Sequence, residues 1–341
     1  MAHALILGGT RNLGHVTALM LREAGHDVTV LNRGQTADDL PQDIRRLRAD
    51  RNDDVSMRKA LGTRSFDLVL DNTTYTEKDA RQAVELFDGK AEGYVFISSG
   101  QVYLVRENLP RPFREGDYDG PVMPAPPRES RDYTSWLYGI DKRLAEQIFL
   151  DAAAERQFPV VTFRLPMVAS ERDHYGRIQG YIARLMDGGP LLIPAGTGLP
   201  LRHVYVKDVA RLISGLADSG IDAGKSFNIS YGESLSLDAF LDLLASLVGS
   251  ESQILRVERD ALDQRGLLPD CSPFSGRWMS ELDNSLSIKE LGADYTAPVE
   301  YLPSIVDDFA RRWKTAGLVP DSYRQRKEEL STSLPSAYRQ T

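Results

Sequence analysis

The amino-acid sequence predicts an α/β fold, a doubly wound parallel sheet joined to a smaller mixed α/β lobe. Three observations carry that expectation. The chain opens as strand, glycine turn, helix and strand; its apolar runs are continuous rather than alternating; and strand and helix take turns as far as Arg164. Continuous apolar runs suit strands buried on both faces, and intervening helices are what cover those faces.

The elements follow in order. Ala4 to Leu7 is the first strand, and Gly8-Gly9-Thr10-Arg11-Asn12-Leu13-Gly14 turns it into a helix. That helix shows Leu13, Val16, Thr17, Met20, Leu21 and Ala24 at three- and four-residue spacing, with Gly25 as its stop. Val28 to Leu31 forms the second strand. Further on come strands at Phe66 to Leu70, Tyr94 to Ile97 and Val160 to Arg164, with helices at Asp79 to Phe87 and Ser135 to Arg156 between them. After Arg164 the pattern breaks into Gly- and Pro-marked pieces with helices at Ile178–Met186, Asp208–Ala217 and Leu237–Val248. Leu104 to Thr134 is a long connection rich in Pro, Arg and acidic residues, read either as a lid or as a solvated or dimer-contact loop. Asp321 to Thr341 is polar and reads as a mobile or partner-bound tail.

Composition narrows the classes. The 341 residues carry a formal net charge of −8, so no global basic field attracts nucleic acid. Cys271 is the single cysteine, which excludes an intrachain disulfide and fits a reducing cytoplasm. No signal peptide and no bilayer-length apolar run is visible, and the five histidines are scattered without a ligand pair, so neither membrane nor metal is expected.

The opening unit points backbone N–H groups and the positive end of a helix at one spot, which suits a pyrophosphate. Arg11 occupies the place where a GxxGxxG turn has its middle glycine. After the second strand the chain reads Asn32-Arg33-Gly34, with no acid to hold an adenosine 2′-hydroxyl. A guanidinium there favours a 2′-phosphate, hence NADP with NAD as the alternative; the plainer reading of Arg33 is a solvated turn residue.

Tyr138 and Lys142 project from consecutive turns of one helix, whose apolar face is Leu137, Ile140, Leu144 and Ile148. An ammonium near a phenol lowers its pKa, as an acid/base acting on an alcohol requires. Tyr323 also has a Lys four residues on, but in a polar segment without a preceding strand, and reads as coincidence. Ser98 and Ser99 end the Tyr94 strand at the carboxyl edge, where open α/β sheets bind ligands.

These motifs, together with Arg202-His203-Val204-Tyr205-Val206-Lys207-Asp208-Val209-Ala210, resemble the extended short-chain dehydrogenase/reductase superfamily, the NAD-dependent epimerase/dehydratase group, from about Met1 to Trp313. The resemblance implies a Rossmann-type domain over 1–165 and 204–230, a substrate-binding lobe over 166–203 and 231–320, and a tail over 321–341. It implies Ser99, Tyr138 and Lys142 as the catalytic set, Lys142 also holding the nicotinamide ribose. Cofactor contacts are implied for Gly8, Thr10, Arg11, Asn12, Leu13, Asn32, Arg33, Asp50, Arg51, Asn72, Thr73, Thr74, Ser98 and Pro166 beside Tyr138 and Lys142. Gln101 and Arg202 are implied to bind a small-molecule substrate, Arg202 through a diphosphate. The helices around Asp79–Phe87 and Tyr138 are implied to pair in a homodimer. The Gly-Gly-Thr-Arg opening also resembles a subgroup containing chloroplast stem-loop RNA-binding proteins, which supplies a non-enzyme alternative.

Departures from the family pattern bear on the reaction. Where sugar-nucleotide dehydratases of the family carry an Asp-Glu pair, this chain has Gly100-Gln101, which cannot do that proton work. Leu165-Pro166-Met167-Val168-Ala169-Ser170 lacks the family's Asn and Tyr-Gly-Pro. The expected activity is therefore interconversion of a secondary alcohol and a ketone, on a sugar or sugar-nucleotide-like molecule, with a 4-epimerase retaining NAD as the alternative.

Overall fold

The computed structural model describes residues 1–196, 198–317 and 319–331. Strands β1 (His3–Leu7), β2 (Asp27–Asn32), β3 (Arg45–Arg48), β4 (Leu68–Asp71), β5 (Tyr94–Ser99), β6 (Val160–Leu165) and β10 (Lys225–Asn228) form one parallel sheet in the order β10-β6-β5-β4-β1-β2-β3. Two small parallel pairs lie outside it, β7 (Met167–Ala169) with β9 (His203–Tyr205) and β8 (Leu191–Pro194) with β11 (Ile254–Val257).

Alternate residues of each strand enter different cores. Ala4 and Ile6 pack toward α1 (Asn12–Glu23) and α7 (Val206–Ser219), while Leu5 and Leu7 pack toward α2 (Asp54–Leu61), α3 (Glu77–Phe87) and α5 (Arg131–Arg156). Both faces are therefore dry, which is why β1 shows no polar alternation. The helix α4 (Gln101–Leu104) follows β5 directly; α6 (Arg177–Met186), α8 (Leu237–Val248), α9 (Arg259–Gln264), α10 (Ser285–Leu291) and α11 (Pro298–Ala316) belong to the excursions after β6.

Strand β3 and helix α2 had no sequence signal of their own. Strand β3 reads Arg-Arg-Leu-Arg and pairs on one side only, so its charged side chains serve as an edge. Helix α2 buries only Met57 and Leu61 and is started by Asp53, whose carboxylate accepts from Ser56 N–H.

The tail expectation is corrected for residues 321–331. Helix α12 (Arg326–Ser331) docks with Arg326 and Glu329 buried, and Glu329 meets Arg184 of α6 at 2.6 Å with both side chains fully enclosed. Residues 332–341 of that expectation lie outside the described residues. The long connection is corrected too. Phe113 and Tyr118 are buried, Phe113 stacks on Tyr103, and its backbone exchanges hydrogen bonds with Glu281 and Asp283. Its first half is thus a packed wall rather than a lid. Of the apolar residues expected at a helix-helix contact, Ala80, Ala83, Val84, Phe87 and Phe149 are consumed by the chain's own core, leaving Ile140 and Ile148 half-buried and Leu144 exposed.

Candidate active site

Parallel register brings the strand ends together: Leu7 lies beside Leu31 and Asp71, and Ser99 beside Leu165. A cleft of about 710 Å³ opens along this edge. Gly8 adopts φ of +84°, and a Cβ on Gly14 would come within 2.5 Å of the Gly8 carbonyl, so strand and helix meet as closely as only glycine permits. Arg11, the N-cap of α1, is extended and gives no side-chain cap, which leaves the first helical N–H groups facing the cleft.

Gly8, Thr10, Arg11, Asn12, Leu13, Asn32, Arg33, Asp50, Arg51, Asn72 and Thr73 all line the cleft, with Leu165, Val168 and His174 closing its far side. Buried polar atoms of four lining residues, Asn12 Oδ1, Asn32 Nδ2, Arg51 Nε and Asn72 Nδ2, have no partner among the described residues. Such atoms are what a polar ligand satisfies. Arg33 is exposed and has no hydrogen-bond or ion-pair partner among the described residues. Nearby, Arg48 donates to Asn32 Oδ1, and Arg11 Nη2 donates to Thr36 Oγ1 at 3.0 Å. The loop after β2 is strapped down by Asp39, which meets His15 Nε2 at 2.7 Å and the Arg172 guanidinium from beyond β7. Those bonds hold the Asp39 carboxyl at about 2.

Other expected contacts are already committed within the chain. Arg51 donates to Thr73 Oγ1 and Thr74 Oγ1 and pairs with the buried Asp71 at 2.9 Å. Thr74 donates its hydroxyl to Asp71 at 2.7 Å, and Ser98 donates to the buried Glu146, which is paired with Arg164 at 2.6 Å. Neither Thr74, Ser98 nor the buried Pro166 lines the cleft. Thr74, Ser98 and Pro166 thus shape the floor instead of facing a ligand.

Lys142 is buried and donates from Nζ to the carbonyls of Thr74 (2.6 Å) and Ile97 (2.8 Å). Its Nζ lies 4.9 Å from the ring centres of Tyr75 and Phe96 and 5.9 Å from that of Tyr138. Burial lowers its pKa to about 8, since Asp71 and Glu146, which oppose the shift, are each paired to an arginine. Tyr138 is pushed up to about 12 by burial, against a hydrogen bond with Ser99 and the field of Arg177. The expectation that Lys142 draws Tyr138 toward neutrality is therefore corrected: its protons go to backbone carbonyls and desolvation governs both groups. Ser99, Tyr138 and Lys142 nonetheless converge beside Ile97 and Tyr75 of the cleft. Gln101 donates to the Ser135 carbonyl at 3.1 Å, bracing α5.

Three contributors were not expected from the sequence. Tyr75 lines the cleft, half exposed, against Lys142 and Tyr138. His174 and Asp71 complete the set; an acid closing the apolar run Leu68–Leu70 was the legible signal for Asp71.

The sheet order, with a cleft along the carboxyl ends of its strands, is that of a Rossmann-type fold. Residues 4–230 match the NAD dependent epimerase/dehydratase family, and the chain belongs to it. Among solved structures, an epimerase from Methanothermobacter thermautotrophicus is similar at TM-score 0.73, 17% identity and coverage of 92% of this chain and 93% of that one. A UDP-glucose 4-epimerase from Thermotoga maritima, solved with UDP-glucose, gives 0.71, 18%, 91% and 99%. A dTDP-glucose 4,6-dehydratase from Bacillus anthracis, solved with NAD, gives 0.73, 13%, 92% and 98%. At such identities the likeness is one of fold. The 41 kDa chloroplast stem-loop binding protein b of Arabidopsis thaliana is 34% identical over 119 residues, 31% of either chain. No helix among the described residues is long and apolar enough to cross a membrane.

Proposed function

We propose that the chain is an NADP-preferring oxidoreductase that interconverts a secondary alcohol and a ketone on a sugar-like substrate. The observation that carries this reading is the meeting of Ser99 and Tyr138 next to a cleft whose β2 edge presents Arg33 and no acid. The glycine turn, the uncapped start of α1 and the unpartnered atoms of Asn12 and Asn72 fit a dinucleotide's phosphates. Arg33, with Arg11 near it, fits a 2′-phosphate, and Lys142 a ribose. A nicotinamide held there supplies or accepts the hydride. Tyr138 gives the substrate oxygen its proton in reduction and removes it in oxidation. Ser99 orients that oxygen from its place beside Tyr138.

Mass spectrometry of nucleotide released from the purified protein, followed by calorimetric titration of the stripped protein with NADP⁺ and NAD⁺, tests the cofactor. Equal affinity or an NAD preference refutes the NADP assignment. A 4-epimerase that retains NAD is the second reading, favoured by the Asp39–Arg172 strap, which ties the loop after β2 to the segment beyond β7 and would slow release. NAD that survives purification and leaves faster from Arg172→Ala would favour it.

A further inference from the structure

Arg202, the residue implied to hold a substrate diphosphate, is used up inside the chain. Its Nε donates to Ser234 Oγ at 3.1 Å and its Nη1 to the Leu282 carbonyl at 2.8 Å, while Nη2 lies 3.7 Å from Glu281 Oε1. Ser234 Oγ donates to that same Glu281 oxygen at 2.6 Å. The Arg202 and Glu281 side chains are each only 11% exposed. All three guanidinium nitrogens are therefore engaged, and the positive charge already has its carboxylate.

The partners belong to a segment that walls the reaction site. Ser280 stands where a Cβ on Gly100 would project, and Leu282 Cδ2 lies 3.1 Å from that same point. Gly100 directly follows Ser99, so the 279–282 segment seals the carboxyl end of β5 and holds Arg202 by its outer neighbours. Arg111, half-buried on the Phe113 ring, donates Nη1 to the Met279 carbonyl at 2.7 Å. Two arginines on this side thus serve to build the wall. The wall itself contributes a carboxylate. A diphosphate entering here would meet Glu281 and have to displace bonds that the buried cation makes in a low-dielectric setting.

Resting on the proposed alcohol–ketone reading, we infer that the site takes a neutral, sugar-like hydroxy-ketone or secondary alcohol carrying no nucleoside diphosphate, because Glu281 and the 279–282 segment neutralise and enclose Arg202. Glycine at position 100 is part of the same design. Any side chain there would collide with Ser280 and open the wall.

The test is calorimetric titration of the NADP⁺-saturated protein with UDP and with UDP-glucose. The expected result is no binding up to about 1 mM, weaker than any working substrate affinity. Glu281→Gln keeps the shape and removes the charge, so UDP affinity should rise roughly tenfold, the scale of one charge-assisted hydrogen bond. Adding Arg202→Ala should abolish the gain. Micromolar UDP-glucose binding by the wild type, lost in Arg202→Ala, overturns the inference. So does the absence of any gain in Glu281→Gln that still binds NADP⁺ normally. If Glu281→Gln fails to bind NADP⁺, the wild-type titration decides alone. Failure of the cofactor reading is distinguishable because it shows in the NADP⁺ titration before UDP is added.

Discussion

Replacing Glu329 by alanine removes the carboxylate paired at 2.6 Å with Arg184, a guanidinium with no exposed surface. Glu329 accepts from Arg184 Nε at 3.0 Å and Nη2 at 2.6 Å, and from Arg326 Nη1 at 2.9 Å. After the substitution Arg184 keeps the Gly180 carbonyl at 3.0 Å, and the cation stays buried without a counter-charge. Breaking such a pair from one side costs about 3–5 kcal/mol, because the desolvation already incurred is no longer offset. At this chain length that corresponds to a fall in Tm of roughly 4–7 °C. Release of helix α12 ahead of global unfolding is read by pairing differential scanning fluorimetry with limited proteolysis, which should cut Glu329→Ala near Arg324 or Arg326 while the wild type resists. Replacing Arg184 and Glu329 together by methionine and leucine should recover most of the loss, since the apolar pair needs no counter-charge and Arg326 keeps its ion pair with Asp187 at 2.7 Å. A Glu329→Ala protein with unchanged Tm and unchanged protease resistance would refute the docking of α12.

Arg33→Ala should reduce NADP⁺ affinity about tenfold, from roughly 1.5 kcal/mol for one charge-assisted bond at an exposed site, with NAD⁺ unaffected in the same titration. Tyr138→Phe should slow turnover by about a hundredfold or more while NADP⁺ affinity, measured by fluorescence quenching, holds; full activity would remove the mechanism. Lys142 carries its proton less readily folded than unfolded, with a pKa near 8 against 10.5, so in that interval the unfolded chain binds the extra proton and stability contributed at this site rises with pH. Comparing Tm across that interval, Lys142→Met should lack this component of the wild-type profile, and superimposable profiles would contradict it. Arg172→Ala should hasten dissociation of bound cofactor in stopped-flow chase experiments by releasing the strap at Asp39.

Local signals in the sequence determined the elements that pack by periodicity and the residues that share one of them. Leu237–Val248 has the predicted bounds, and Tyr138 and Lys142 do stand one turn apart on α5. The glycine turn was legible because its requirement is steric and local. Tertiary structure decided where the polar side chains spend their hydrogen bonds. Arg202 and Leu282, Arg184 and Glu329, Lys142 and Thr74 are distant in the chain, and no spacing rule links them. The same residue types would suit a phosphate ligand, a buried ion pair or a solvated turn. Burial selects among these, because an enclosed charge must find its partner wherever the fold brings one, and helix α12 docks through such remote contacts, Glu329 with Arg184 and Arg326 with Asp187.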